Sequence, residues 1–115
     1  MWIFTTSGFV SAVQDRADRT IIVRSRDRLS LSDISEKYKT KIIATPLADY
    51  PYRLILTSHQ FAEWVQEEAL KIDYPNFKSA TKIQQNSIFA HALSKVWSVM
   101  HDIEDRKPRS RNENR

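Results

Sequence analysis

The segment TIIVRSR, residues 20–26, is the strongest indication in the sequence of both the fold and a possible binding site. It is rich in β-branched residues and therefore predicts a β-strand. Residues two apart on a strand point to the same side, so Arg24, Arg26 and, if the strand continues that far, Arg28 share one face. Guanidinium groups that lie close together repel unless carboxylate or phosphate groups neutralise them. The row therefore predicts either a solvated, ion-paired sheet face or a platform for an anionic partner.

Further runs of strand-forming residues flank this segment on both sides. Two of them, residues 2–6 and 9–13, surround Gly8, the only glycine of the chain. Glycine reaches positive φ without steric cost, which predicts a turn between two strands. Two more runs, residues 41–45 and 52–57, follow later in the chain. The sequence thus predicts four or five strands.

Helix signals follow the third strand and gather in the second half of the chain. Ser30, with Asp33 three residues on, predicts the cap of a short helix, and Ser58 predicts the cap of a second. A third, longer helix is predicted from about residue 79 to residue 105. Early strands and late helices predict an α+β fold: an antiparallel sheet with helices on one face, as a ferredoxin-like variant. The predicted buried stripe of the second helix is Phe61, Trp64, Val65, Ala69 and Ile72.

Length and charge distribution predict one domain with a tail. A chain of 115 residues suits one domain, and its net charge is +4. Residues 106–115 hold five Lys or Arg and one Glu and so carry that whole excess. We therefore predict a single domain over residues 1–105, with no net charge, and a basic, mobile tail over residues 106–115.

Composition also excludes several kinds of chemistry. The chain has no cysteine, which excludes disulfides, thiolate catalysis and cysteine-ligated metals. One glycine is too few for a phosphate-binding loop or a dinucleotide fingerprint, so we expect no such cofactor. No apolar run is long enough to span a membrane, and the N-terminus lacks a secretory pattern. We expect a cytoplasmic protein without a membrane partner.

An acid-tyrosine-proline corner occurs twice, in DYPYR at residues 49–53 and in DYPNFK at residues 73–78. A residue before proline is driven into extended conformation, so Tyr50 and Tyr74 each leave a turn in a fixed direction. The preceding aspartate stabilises such a turn through its own backbone. We predict structural roles: the first corner begins a strand, and the second ends a helix.

Several motifs occur in an order that resembles a family of small bacterial and phage-associated proteins to which we attach no activity. The resemblance implies one compact domain and no mechanism, and the basic tail falls outside it. The motifs are WIFTTSGFVSAVQ (2–14), VRSRDRL (23–29), ADYPYR (48–53), IDYPNFK (72–78), His91 and Val96-Trp97.

The first functional hypothesis is a module that binds an anionic or phosphate-bearing partner, a nucleic acid or a nucleotide. Aromatic rings on an open sheet face beside an arginine row would stack bases. The sequence does not show whether Trp2 and Phe9, on neighbouring segments, face that row. The candidate binding residues are Arg24, Arg26, Arg28, Tyr50, Tyr52, Arg53 and His91.

Two alternatives remain open at this point. Three Trp, five Phe and four Tyr exceed what a small core needs, which favours a homo-oligomer or a protein-binding subunit. A small enzyme that uses His91 as a general base is the other alternative, although we expect no catalytic role. His91 and His101 are ten residues apart and fall on different helix faces, so we expect no metal site.

Overall fold

The computed structural model of the chain describes residues 1–105, and the predicted tail at residues 106–115 lies outside them. Five strands occur in this part: β1 (Trp2–Thr5), β2 (Gly8–Gln14), β3 (Ile21–Ser25), β4 (Ile43–Ala44) and β5 (Tyr52–Leu56). The helices are α1 (Leu29–Tyr38), α2 (Ser58–Leu70), α3 (Phe77–Gln84) and α4 (Ser87–Met100), and a 3₁₀ turn (His101–Ile103) continues α4.

The strands form one antiparallel sheet in the order β1-β2-β3-β5-β4. Because β3 and β4 both run antiparallel to β5, they are parallel to each other, and α1 connects them. They form a split βαβ unit with β5 inserted between its strands. The α+β prediction is confirmed, and the arrangement is consistent with a ferredoxin-like variant.

The hydrophobic core lies between one face of the sheet and helices α1 and α2. Alternate residues of the central strands point into it, as the period of two along a strand requires. Tyr38, Tyr52 and Phe61 pack around its edge. The buried residues of this cluster are Val10, Val23, Leu31, Ile34, Leu54, Leu56 and Trp64.

The turn between β1 and β2 depends on glycine. Gly8 has φ +145°, and a Cβ built there would lie 2.0 Å from the Ser30 Oγ and 2.9 Å from the Ser30 Cα. The Ser30 hydroxyl accepts a hydrogen bond from the Phe9 amide and donates one to Asp27. The absence of a side chain at Gly8 therefore lets α1 approach the start of β2.

The first two helices begin earlier than the sequence predicted. Helix α1 starts at Leu29, and Asp27 Oδ2 accepts a hydrogen bond from the Ser30 amide, so Ser30 is not the cap. Thr57, not Ser58, caps α2, because Thr57 and Gln60 form a reciprocal capping box. Part of the predicted stripe of α2 is also wrong: Ala69 and Ile72 are exposed, since the core ends near Val65.

The predicted long C-terminal helix is two helices. The Asn86 side chain accepts a hydrogen bond from the Phe89 amide and starts a new helix, α4. The Gln85 side chain donates to the Ser7 carbonyl and to Asp27 Oδ2, which fixes the break against the β1–β2 turn. A break at this position lets α3 and α4 pack against each other.

The two corners lie where the sequence predicted, before a strand and after a helix. The first leads into β5 at Tyr52, and the second follows the end of α2. None of the helices within residues 1–105 is both long enough and apolar enough to cross a membrane.

Candidate functional site

The sheet face opposite α1 and α2, which we call the open face, carries one row of side chains across four strands. Trp2 pairs with Ser11, Ser11 with Arg24, and Arg24 with Arg53. Residues directly opposite each other on neighbouring strands lie on the same face. The register therefore places an indole at one end of the row and two guanidinium groups at the other.

Arg24 is held in place by neutral groups. Its Nη2 donates to the Ser11 Oγ at 2.7 Å, and its guanidinium carbon lies 4.5 Å from the centre of the Tyr50 ring. Within residues 1–105, Arg24 forms no ion pair with a carboxylate. The contacts that the structure gives this guanidinium are thus a hydroxyl and an aromatic ring.

Arg53 lies opposite Arg24 with even weaker contacts. Its Nη2 reaches the Tyr50 carbonyl at 3.5 Å, the limit of a hydrogen bond. Its Nε is buried and has no hydrogen-bond partner in the described part of the chain. Like charges directly opposite on adjacent strands destabilise a sheet. The Arg24–Arg53 pair is therefore a position where an anion would relieve repulsion.

Arg26 lies just beyond the end of β3 and has an acidic partner. Its Nη1 donates to the Asp49 Oδ1 at 3.0 Å and to the Asp49 carbonyl at 2.8 Å. The hydrogen bond to Asp49 raises the pKa of the Arg26 guanidinium. The same guanidinium lies 4.6 Å from the centre of the Tyr50 ring. Tyr50 is buried, and the guanidinium groups of Arg24 and Arg26 both lie against its ring.

Arg28 and Tyr52 do not join this row. β3 ends at Ser25, and Arg28 is the residue that precedes α1, so the strand does not last long enough to align it. Its guanidinium lies over the Tyr52 ring at 5.2 Å, and Tyr52 packs against the core on the opposite face. The predicted third member of the arginine row is therefore replaced by Arg53, from another strand.

Aromatic rings continue the open face toward β1. Phe9 stacks on Phe4 with ring centres 4.6 Å apart and meets Trp2 edge-on at 5.9 Å. Trp2 is 69% exposed, so its indole is accessible to a partner. These rings and the N-terminal half of α4 border a groove of about 400 Å³, with Arg26 at its rim.

His91 lies away from the open face. It is exposed in a shallow depression between α3 and α4, beside Lys78 and Lys82. No residue that lines this depression also lines the groove beside Trp2. Within residues 1–105 there is also no group of three or more side chains arranged to hold a metal ion.

Sequence reasoning missed two contributors, Ser11 and Asp49. Phe9, Ser11 and Val13 alternate with Val10 and Ala12, a pattern that places Ser11 on the open face. The pairing of Asp49 with Arg26 had no such signal, because 23 residues separate them and only the fold brings them together.

Comparisons of this chain with protein-family models, with curated proteins and with solved structures find no match. The resemblance to a family of bacterial and phage-associated proteins therefore stays a prediction.

Proposed function

We propose that this protein is a binding module whose open face takes a phosphate-bearing partner, with single-stranded nucleic acid as the best fit. The observation that carries the proposal is the Arg24–Arg53 pair. The two residues lie directly opposite each other on adjacent strands, and neither forms an ion pair within the described residues. A phosphate over this pair would receive two charge-assisted sets of hydrogen bonds and remove the repulsion.

The row has the composition of a surface that binds single strands. Such surfaces combine a basic track for the backbone with exposed rings on which bases stack. Trp2 and Arg53 are three strand spacings apart, about 14 Å. That length suits an extended strand that places a base on Trp2 and its phosphates at Arg24 and Arg53, and it exceeds the needs of a single small anion.

The test must separate the sheet from the tail, because residues 106–115 hold five basic side chains that also attract nucleic acid. We would titrate the full chain with a short single-stranded oligonucleotide at several salt concentrations. The readouts are the fluorescence anisotropy of the labelled oligonucleotide and the quenching of tryptophan fluorescence. The variant Trp2→Phe identifies the part of the quenching that comes from the exposed indole.

The decisive variant is Arg24→Gln with Arg53→Gln. It should weaken binding at least about tenfold. It should also lower the slope of the logarithm of the affinity against the logarithm of the salt concentration by about two, because two phosphate contacts are lost. It should also abolish quenching of Trp2. The matched control replaces Arg109 and Arg111 by Gln, which removes the same charge from the tail and should leave Trp2 quenching intact. Unchanged affinity of the sheet variant, or binding that ignores salt, would refute the proposal.

The enzyme alternative gains no support from the geometry. A general base needs a substrate held against it in a concave site, whereas His91 is exposed in a shallow depression.

A further inference from the structure

Helix α4 and the 3₁₀ turn that continues it carry an apolar stripe that the rest of the described chain leaves exposed. Ile88 is 83% exposed, Val99 61% and Ile103 72%. Val96 and Met100 on the same side are also exposed. A row of large apolar side chains along a whole helix is more than the scattered exposure that single-chain proteins show, and it marks an interaction surface.

The spacing within this stripe is that of a helix that pairs with another helix. Phe89, Ala92, Val96, Val99 and Ile103 follow one another at intervals of three and four residues. This alternation places the four residues of α4 on one seam, as in a two-stranded coiled coil, and Ile103 follows them in the 3₁₀ turn that continues the helix. Phe89, Ala92 and Val96 also border the groove beside Trp2, so the seam continues into an apolar depression.

Two charged residues flank the same seam on one side. Lys95 on α4 and Asp102 in the 3₁₀ turn are seven residues apart, and five α-helical steps plus two 3₁₀ steps leave them only about 20° apart in direction. Both are exposed, and neither forms an ion pair within residues 1–105. One flank thus offers a positive group near the middle of the helix and a negative group at its end.

We propose that α4 pairs antiparallel with α4 of a second copy of this chain. Val96 of one copy packs against Val99 of the other, and Ala92 packs against Ile103. This register brings Lys95 beside Asp102 of the second copy, and twofold symmetry repeats the contact, so that two ion pairs form. A parallel pair would leave both charges without a partner, because Lys95 would then face Met100 of the second copy.

The groove beside Trp2 supports the same arrangement. In this register the end of the second α4 lies against the first half of the first α4. Ile103 of the second copy then enters the groove that Phe9, Phe89 and Ala92 border. The α4–α4 contact would therefore both bury the apolar stripe and fill the depression. This proposed dimerisation does not depend on nucleic-acid binding.

Sedimentation velocity of the full chain over a range of micromolar concentrations tests self-association. We expect a dimer in concentration-dependent equilibrium. Val99→Asp should give a monomer with an unchanged circular dichroism spectrum, because Val99 is mostly exposed in the single chain. The control is Ile83→Asp, which changes an apolar side chain that is 86% exposed on α3 and should leave the dimer intact. A wild-type chain that stays monomeric up to about 100 μM, which would put any dimer Kd above that value, would overturn the proposal.

Charge reversal tests the antiparallel register. Lys95→Glu and Asp102→Lys should each weaken the dimer about tenfold, since each turns two attractive contacts into repulsive ones. The double variant should restore the affinity. A mixture of the two single variants should form heterodimers, because each supplies the charge that the other lacks. Failure of both the double variant and the mixture to recover association would refute the antiparallel pairing.

Discussion

Arg53 should reduce the stability of the protein in the absence of a ligand, and Arg53→Met tests this. The substitution keeps most of the apolar stem of the side chain and removes the guanidinium group. It eliminates the buried Nε that has no partner among the described residues, and it ends the opposition to Arg24. We expect the variant to be more stable than the wild type in the absence of a ligand.

The magnitude follows from three contributions. A buried donor without a partner costs about 1–3 kcal/mol. Like charges opposite each other on neighbouring strands cost about 0.2–1 kcal/mol. Against these stands the loss of the long 3.5 Å contact to the Tyr50 carbonyl, which contributes less than about 1 kcal/mol. The net effect is a stabilisation of about 0.2–4 kcal/mol, centred on about 2 kcal/mol, and each kcal/mol raises Tm by about 4 °C or more for a domain of this size.

Thermal and urea unfolding of the full chain measure this difference. Arg53→Lys separates the two main contributions, because it removes the Nε but keeps the charge. Higher salt should reduce the difference in stability between wild type and Arg53→Met, since salt screens the repulsion between Arg24 and Arg53. Arg16→Met, in the exposed turn after β2, is the control and should change stability by less than about 0.5 kcal/mol. A lower Tm for Arg53→Met would refute the reasoning, because Arg53 would then stabilise the sheet.

Three further predictions concern other parts of the structure. Asp49→Asn should leave stability unchanged but tighten oligonucleotide binding, because it releases the exposed Arg26 from its acidic partner; equal or weaker binding in anisotropy titrations would contradict this. Gly8→Ala should destabilise the protein by at least about 2 kcal/mol in urea unfolding, since φ is +145° and the new Cβ would meet Ser30; a wild-type midpoint would show that the turn can relax. Burial, with a smaller contribution from the hydrogen bond to Glu63, raises the pKa of Tyr38 from 10.0 to about 12. Because this pKa is higher in the folded than in the unfolded protein, the free energy of unfolding is unaffected below pH 10 and decreases as pH rises toward 12. Tyr38→Phe should therefore lose less stability over that interval, and equal losses in the two proteins would exclude the effect.

Much of the local structure could be read from the sequence because its signals are local. The β-branched run at residues 20–26 identified β3, and Gly8 identified the turn between β1 and β2. The caps were placed less well, since Thr57 and Asp27 compete with nearby serines for the same role. The prediction of one long C-terminal helix was wrong because the break is fixed by contacts of Gln85 with Ser7 and Asp27, which are distant in the sequence.

The sequence by itself determined the strands and the side of β3 on which Arg24 lies, because the alternation of side chains along a strand is a property of the backbone. Only the tertiary structure decided that Arg53 stands opposite Arg24 and that Arg28 turns away to Tyr52. Strand order and register are set by which buried residues of β3 and β5 meet in the core and by where α1 begins. Those pairings join residues about thirty positions apart in the chain, and no local pattern encodes them.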